Sequence, residues 1–315
     1  MLDFPLVSVI MTYYDHEDYL ADSVRSVANL DYPNVELIVV DDCSPNRKAD
    51  EIIASFSLAN SRVIRLEKNR GHVASKNVGI HNSAGELILP LDSDDLILPN
   101  YLRETVPLCL ESGVGVVLTD VKLFGDQSSV YTPAQTKEQF VCLKTPSNTF
   151  LARRELFEEL GPYDETLQYG DETDFLLRVL ENNWKIRHVP LPLYEYRKHE
   201  NGLSLSVSYV KLLSDLIDRH PQVFRENLKA ALLYREQRYW GEIESAREFD
   251  KDSVSGGSDV TARQYQHLHS EFHKLLRHYE ELQVESQSLQ QQIQALMSGK
   301  MYRFRDRVYR MLRRR

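Results

Sequence analysis

Acidic and other polar residues stand directly after several short apolar runs of this chain. Thr12, Tyr13, Tyr14 and Asp15 follow the run at 7–11, and Asp41 and Asp42 follow 35–40. Asn69, Arg70 and Gly71 come shortly after 63–66, and Asp92, Ser93, Asp94 and Asp95 follow 87–91. A single aspartate after a strand is commonly a helix N-cap, and Asp15 or Asp95 taken alone reads that way. Four run ends with polar residues, two of them carrying paired carboxylates, ask for more than capping. Close carboxylates repel, and a proton, a cation or a bound partner must relieve them; a divalent metal ion is the economical answer. A second acid cluster, Asp171, Glu172 and Asp174, precedes an apolar spacing (Phe175, Leu176, Val179, Leu180) that indicates a helix, so one of its acids could serve only as a cap.

Positioning these groups requires a particular set of elements. The runs at 7–11, 35–40, 63–66, 87–91 and 114–121 are rich in Val, Ile and Leu and read as buried strands. Segments at 17–27, 49–56, 73–82 and 101–110 are long enough for crossover helices. Strand–helix alternation of this kind predicts an α/β fold with a mainly parallel sheet and helices on both faces. Ligands of such sheets lie beyond the carboxyl ends of the strands, where the acids above would converge. The region at 126–205 is less regular, and 208–249 is helical in pattern. Residues 250–261, with Ser253, Gly256, Gly257 and Ser258, read as a flexible linker.

Beyond the linker, Leu268, Leu275, Leu282, Leu289 and Leu296 recur every seven residues, and Phe272, Tyr279, Ser286 and Ile293 fall four residues after successive leucines. This 4–3 spacing predicts a coiled coil over 262–299 and hence a homo-oligomer. A long helix packed on the body of the same chain is the alternative. Residues 300–315 carry eight Lys and Arg against the single acid Asp306. The formal net charge of −9 therefore divides into +7 on this tail and −16 on the rest. Met301, Phe304, Val308, Met311 and Leu312 form an apolar stripe among the arginines, the pattern of a helix lying on an anionic membrane surface. A protein partner or the acidic body of the same protein is the competing reading, and nucleic acid fits an acidic chain least.

The 42% of hydrophobic and 27% of charged residues exclude a wholly disordered chain. No stretch reaches the ~18 apolar residues that a membrane-spanning helix needs. Three scattered cysteines, Cys43, Cys109 and Cys142, make neither a disulfide framework nor a metal knuckle, and read as buried apolar groups in a reducing compartment. A cytoplasmic protein, held peripherally at the inner face of the cell membrane by its tail, is expected.

The segments 7–15, 39–44, 69–77 and 91–95, in that order and at those strand ends, resemble the signature series of family 2 glycosyltransferases. The resemblance covers residues 5–200 and implies a GT-A fold over 1–206, followed by a helical extension (207–249), the linker, the coiled coil and the basic helix. It implies an inverting transfer of sugar from a nucleotide-activated donor, UDP-linked by preference, to a hydroxyl of a glycan or lipid-linked glycan, as in surface polysaccharide synthesis. Donor binding would involve Tyr14, stacked on the base, with Thr12 beside it. Asp42 would accept a hydrogen bond from the base edge, with Asp41 before it, and Lys76 would lie near the nucleotide. Asp92, Ser93 and Asp94 match the D-x-D element: Asp94 as ligand of Mn²⁺ or Mg²⁺, Asp92 as contact to ribose, metal or metal-bound water. The ion would keep waters and be completed by diphosphate oxygens, easing departure of the diphosphate.

Inversion needs a base for the acceptor hydroxyl, and the resemblance places it at Glu172 or Asp171. The order here is Asp-Glu where the family has Glu-Asp, and counting back from Arg178 favours Glu172. Tyr196, Arg197, Lys198 and His199 resemble a late Tyr-Arg-x-His element, with His199 a contact to diphosphate or metal. Tyr13, Asp15 and Cys43 depart from the common Thr, Asn and Gly. Two alternatives compete. A sugar nucleotidyltransferase would need a Gly-rich, basic loop after the first strand, where Thr12–Asp15 stand instead. A non-catalytic coiled-coil scaffold on a relict fold would have no use for the intact Asp92, Asp94 and Glu172.

Overall fold

The computed structural model describes residues 4–230, apart from 16, 47, 57, 59, 143–144, 200–208 and 228. The chain divides into two compact units between Ala231 and Leu232. The expected linker, coiled coil and basic helix, and the helical pattern beyond residue 230, thus lie outside the described residues.

Four strands, β1 (Val7–Tyr13), β2 (Val35–Asp41), β3 (Ser61–Arg65) and β4 (Leu87–Asp92), form the parallel half of one sheet. Their Val/Ile/Leu runs suit a pleated surface covered on both faces, and every residue of β1 is buried. The helices between them are α1 (Glu17–Ala28), α2 (Lys48–Ala54) and α3 (His72–His81). After β4 come the short β5 (Leu96–Ile97), α4 (Tyr101–Cys109) and the long β6 (Val114–Gly125), then β7 (Ser129–Tyr131) and α5 (Lys137–Val141). The chain continues through β8 (Leu151–Arg153), α6 (Arg154–Glu159), α7 (Asp171–Glu181), β9 (Lys185–Lys198) and α8 (Tyr209–Arg219).

The strand order is β3-β2-β1-β4-β8-β6-β9-β5, with β7 beside β6. The sheet is parallel from β3 to β4 and mixed beyond: β8 runs antiparallel to both β4 and β6, and β5 antiparallel to β9. Side chains of α1, α2 and α4 cover one face and those of α3, α5, α6, α7 and α8 the other. Chain order reverses direction between β1 and β4, which is where open α/β sheets bind ligands.

Every strand expected from the apolar runs is present. The irregular region resolves into β7, α5, β8, α6, α7 and the 14-residue β9. Pro190 and Pro192 broke the strand pattern of β9 in the sequence; the structure accommodates them at a shift of register against β6, where Thr119 pairs with Val189 and Asp120 with Pro192. Among the described residues no helix is long and apolar enough to cross a membrane.

Candidate functional site

Parallel register brings the strand ends level. Thr12 of β1 pairs with Asp92 of β4, and Tyr13 with Asp41 of β2. Thr12 Oγ1 donates a long hydrogen bond of 3.4 Å to Asp92 Oδ1. The Tyr13 ring instead enters the core, and its hydroxyl donates to Asn46 Oδ1 at 3.2 Å. Tyr14, by contrast, is 45% exposed at the sheet edge.

The two neighbouring aspartates divide their tasks. Asp41 is fully buried, ion-paired to Arg65 Nη1 at 2.7 Å, and accepts the Ser44 N–H at 2.8 Å. Its oxygens hold the β2 loop together. Asp42 accepts the N–H groups of Arg70 and Gly71, each at 2.7 Å, tying the β2 loop to the start of α3. A carboxylate has about four lone-pair sites, so Asp42 keeps acceptor capacity. Asp15 and Cys43 both occupy the left-handed region, at φ 54° and 64°. This explains why the usual residues there are Asn and Gly, which tolerate that backbone best.

The loop after β4 is pinned from two sides. Ser23 Oγ of α1 donates to the carbonyls of Ser93 and Asp95 at 2.8 and 2.6 Å. Asp95 is no helix cap: it is fully buried and accepts the Tyr194 hydroxyl at 2.5 Å and the Arg197 N–H at 2.8 Å. Arg197 Nε donates to the Asp94 carbonyl at 2.8 Å, and its guanidinium lies over Tyr19 and Phe124 at 4.5 and 4.4 Å. β9 thereby fixes Asp94, whose Oδ2 lies 3.0 Å from His199 Nε2. Burial and the Asp92 carboxylate push the Asp94 carboxyl above its ordinary range. Two hard oxygen donors under mutual repulsion, with an imidazole beside them, fit a divalent cation. Among the described residues no group of three or more His, Cys, Asp or Glu side chains could hold a metal by itself. Asp92 and Asp94 could therefore hold such an ion only with water or ligand oxygens completing its shell.

The second acid cluster sits at the start of α7, introduced by Gly170 at φ 78°. A Cβ at Gly170 would overlap Leu212 Cδ1, so both the backbone and the space call for glycine. Lys76 of α3, 2% exposed, reaches across to this helix. Its Nζ donates to Asp171 Oδ2 at 3.1 Å and to Glu172 Oε1. His72 Nε2 lies 3.3 Å from Asp171 Oδ1. Asp171, held by the Lys76 ammonium and the His72 imidazole, has its carboxyl depressed well below the ordinary range. Glu172 shares only Lys76, and burial, with Asp171 and Asp92 nearby, raises it to about 7. The two acids are thus unlike: one stays ionised at neutral pH, the other titrates near neutrality. Asp92 is felt electrostatically at both Lys76 and Glu172, which joins the strand-edge acids and the helix acids in one site.

Asp174, the remaining acid of that turn, is structural: its oxygens pair with Arg178 Nε at 2.9 Å and His220 Nε2 at 3.1 Å. The structure brings Thr12, Tyr14, Asp41, Asp42, Asp92, Ser93 and Asp94 to one sheet edge, with His199 against Asp94. Lys76 lies on the helix acids. His72, Arg197, Tyr19, Asp95 and Arg65 were not legible as site residues. Of these, Arg197 carried a signal from its place in the Tyr-Arg-x-His element, and Asp95 from its place among the strand-end acids.

A mixed sheet with helices on both faces and acids at the switch point is the GT-A-like architecture. Residues 8–171 match glycosyl transferase family 2, over half of the 315 residues. The chain belongs to that family and is a glycosyltransferase. An uncharacterized glycosyltransferase of Haemophilus influenzae is 24% identical over 302 residues, 93% of this chain and 95% of its own. The poly(ribitol-phosphate) beta-N-acetylglucosaminyltransferase TarS of Staphylococcus aureus is 28% identical over 213 residues, 64% of this chain but 37% of its own. In fold, the 1–349 portion of TarS in complex with UDP-GlcNAc is similar at a TM-score of 0.60 and 23% identity, covering 71% of this chain and 72% of that one. A mannosyltransferase of Pyrobaculum calidifontis in complex with GDP-Man and Mn²⁺ is similar at 0.58 and 15% identity, covering 88% and 84%.

Proposed function

We propose that this glycosyltransferase moves a sugar, with inversion, from a nucleotide-linked donor to a hydroxyl of a glycan or lipid-linked glycan, with Glu172 as the base. The observation that carries the reading is the unequal carboxylate pair at the start of α7, electrostatically joined to the strand-edge acids. The nucleotide-sugar complexes of TarS and of the Pyrobaculum mannosyltransferase support the donor class. The name of TarS, a poly(ribitol-phosphate) beta-N-acetylglucosaminyltransferase, supports a polymeric acceptor.

On this reading the Tyr14 ring stacks on the base and Asp42 accepts from its edge, with Thr12, Asp41 and Ser93 shaping the donor loops. Asp94, with Asp92 and aided by His199, would hold Mn²⁺ or Mg²⁺, which when bound neutralises charge on the departing diphosphate. Lys76 takes Oε1 of Glu172 and leaves Oε2 for the acceptor hydroxyl. The Glu172 carboxylate, formed as its proton is lost near 7, accepts the hydroxyl proton as the oxygen attacks the anomeric carbon and the bond to the diphosphate breaks. Asp171 does not compete, because His72 and Lys76 hold it as a buried anion. Its work is to keep Lys76 in place.

Two further elements of the reading rest on sequence outside the described residues. The leucine heptads at 262–299 support a homo-oligomer, and the basic stripe at 300–315 supports attachment to an anionic membrane surface, where a lipid-linked acceptor would reside.

The test is Glu172→Gln, assayed by donor consumption with Mn²⁺ and by calorimetric binding of the nucleotide sugar. Turnover is expected to fall by roughly 10²–10⁴ with donor affinity retained. Near-normal turnover would refute Glu172 as the base.

A further inference from the structure

Two adjacent residues beyond the family match grip the helix that carries the proposed base. Arg219, the last residue of α8, donates from Nε to Asp164 Oδ2 at 2.8 Å and from Nη2 to Thr166 Oγ1 at 2.7 Å, holding the segment that leads into α7. His220, 2% exposed, stands between two carboxylates of α7: Nε2 lies 3.1 Å from Asp174 Oδ1 and Nδ1 2.7 Å from Glu181 Oε2. Pro221 follows and starts a second helical segment, 221–227, whose Val223 and Phe224 are buried with Leu216 in the same core as Phe175 and Leu176 of α7. Leu212 of α8 closes on Gly170, the residue before Asp171.

Ionised carboxylates only accept hydrogen bonds, so a ring with one on each nitrogen must donate from both and carry a proton on each. Burial alone would oppose that charge, yet the two carboxylates outweigh it and raise the group above an ordinary histidine. The charged groups facing this ring are Asp174 and Glu181, with Arg178 sharing Asp174 and Arg219 adjacent in the chain. Arg178 in turn donates to the carbonyls of Leu160, Gly161 and Pro162, so the clamp reaches both sides of the Gly170 turn.

We propose that His220 is a positioning residue for this glycosyltransferase: as a doubly donating imidazolium it locks the first turn of α7, through Asp174, and so fixes Glu172 toward the acceptor hydroxyl. The inference rests on Glu172 being the base, and it makes residues 209–227 part of the working site rather than an appendage. It also gives the enzyme an alkaline limit. When the ring loses a proton, one nitrogen turns a lone pair toward a carboxylate, the clamp opens and turnover falls.

The experiment uses the full chain with a nucleotide sugar and Mn²⁺, following turnover against pH. His220→Gln is expected to lower kcat at least tenfold, leave KM for the donor unchanged and abolish the alkaline limb. In a Glu172→Gln background the same change should have no further effect on kcat, because it acts through that residue. Glu181→Gln, made at a half-buried position and so tolerant of folding, removes one carboxylate and should move the alkaline limb down by about one pH unit. A His220→Gln enzyme that melts earlier but turns over as wild type, or a Glu181→Gln limb that stays in place, would reduce His220 to a structural contact and overturn the inference. Normal turnover of Glu172→Gln would instead remove the base assignment, and with it the clamp's purpose.

Discussion

Replacing Lys76 by Met keeps the length of the side chain and deletes its charge at a position 2% exposed. Two carboxylates that shared one ammonium, Asp171 and Glu172, are then left buried together, with only His72 beside the first. Breaking a buried ion pair by removing one partner costs about 3–5 kcal/mol. For a body of this size that corresponds to a fall in Tm of roughly 10 °C. The pH dependence has a definite sign. Lys76 is raised well above its ordinary value, so its contribution is fully present at neutral pH and is lost only under strong alkali. Asp171 is depressed in the wild type, so it contributes stability above the ordinary carboxylate range and that stability is lost as the pH falls below it. In Lys76→Met both carboxyls rise, and the folded variant takes up protons before its unfolded chain does. The stability gap between the two proteins should therefore be largest near pH 8 and shrink toward pH 4. Urea unfolding at a series of pH values reads it directly. A gap below about 1 kcal/mol at pH 8, or one of constant size across the range, would refute the shared-cation account of this site.

Other outcomes follow from the same groups. Glu172, raised to about 7, must lose its proton to act, so wild-type turnover should climb with pH through that value, and Glu172→Gln should lack the limb. Chelation of divalent ions should abolish donor hydrolysis and Mn²⁺ or Mg²⁺ should restore it. Asp94→Asn, which removes the proposed ligand beside His199, should not recover at any Mn²⁺ concentration that saturates the wild type. Truncation after Gly299 removes the +7 tail and should release the protein from vesicles containing anionic lipid; equal retention of both forms would dispose of the membrane role.

Much of the parallel half was readable because a strand buried on both faces announces itself as a continuous apolar run. The acids that follow such runs had to meet at one edge, whatever the rest of the chain did. Asp41 and Asp42 were adjacent in that reading and equal in type. Only the fold assigns the first to Arg65 and the second to the α3 loop. Asp95 read as a cap, but β9 passes close enough to bury it against Tyr194 and Arg197, some hundred residues later. β9 itself was hidden by two prolines that its shifted register tolerates.

The sequence by itself determined the element order of the first half, the acids at the strand ends and the acid cluster opening α7, because these depend on residue type and local period. Lys76 shows where that reach ended. It read as charge near a nucleotide, and no local spacing could add that its ammonium lies between Asp171 and Glu172, 95 and 96 residues further on. Nothing in local spacing can say which of two neighbouring carboxylates receives an ammonium and an imidazole and which receives the ammonium alone. Burial and partner geometry decide that, and they decide with it which acid stays ionised and which titrates near 7.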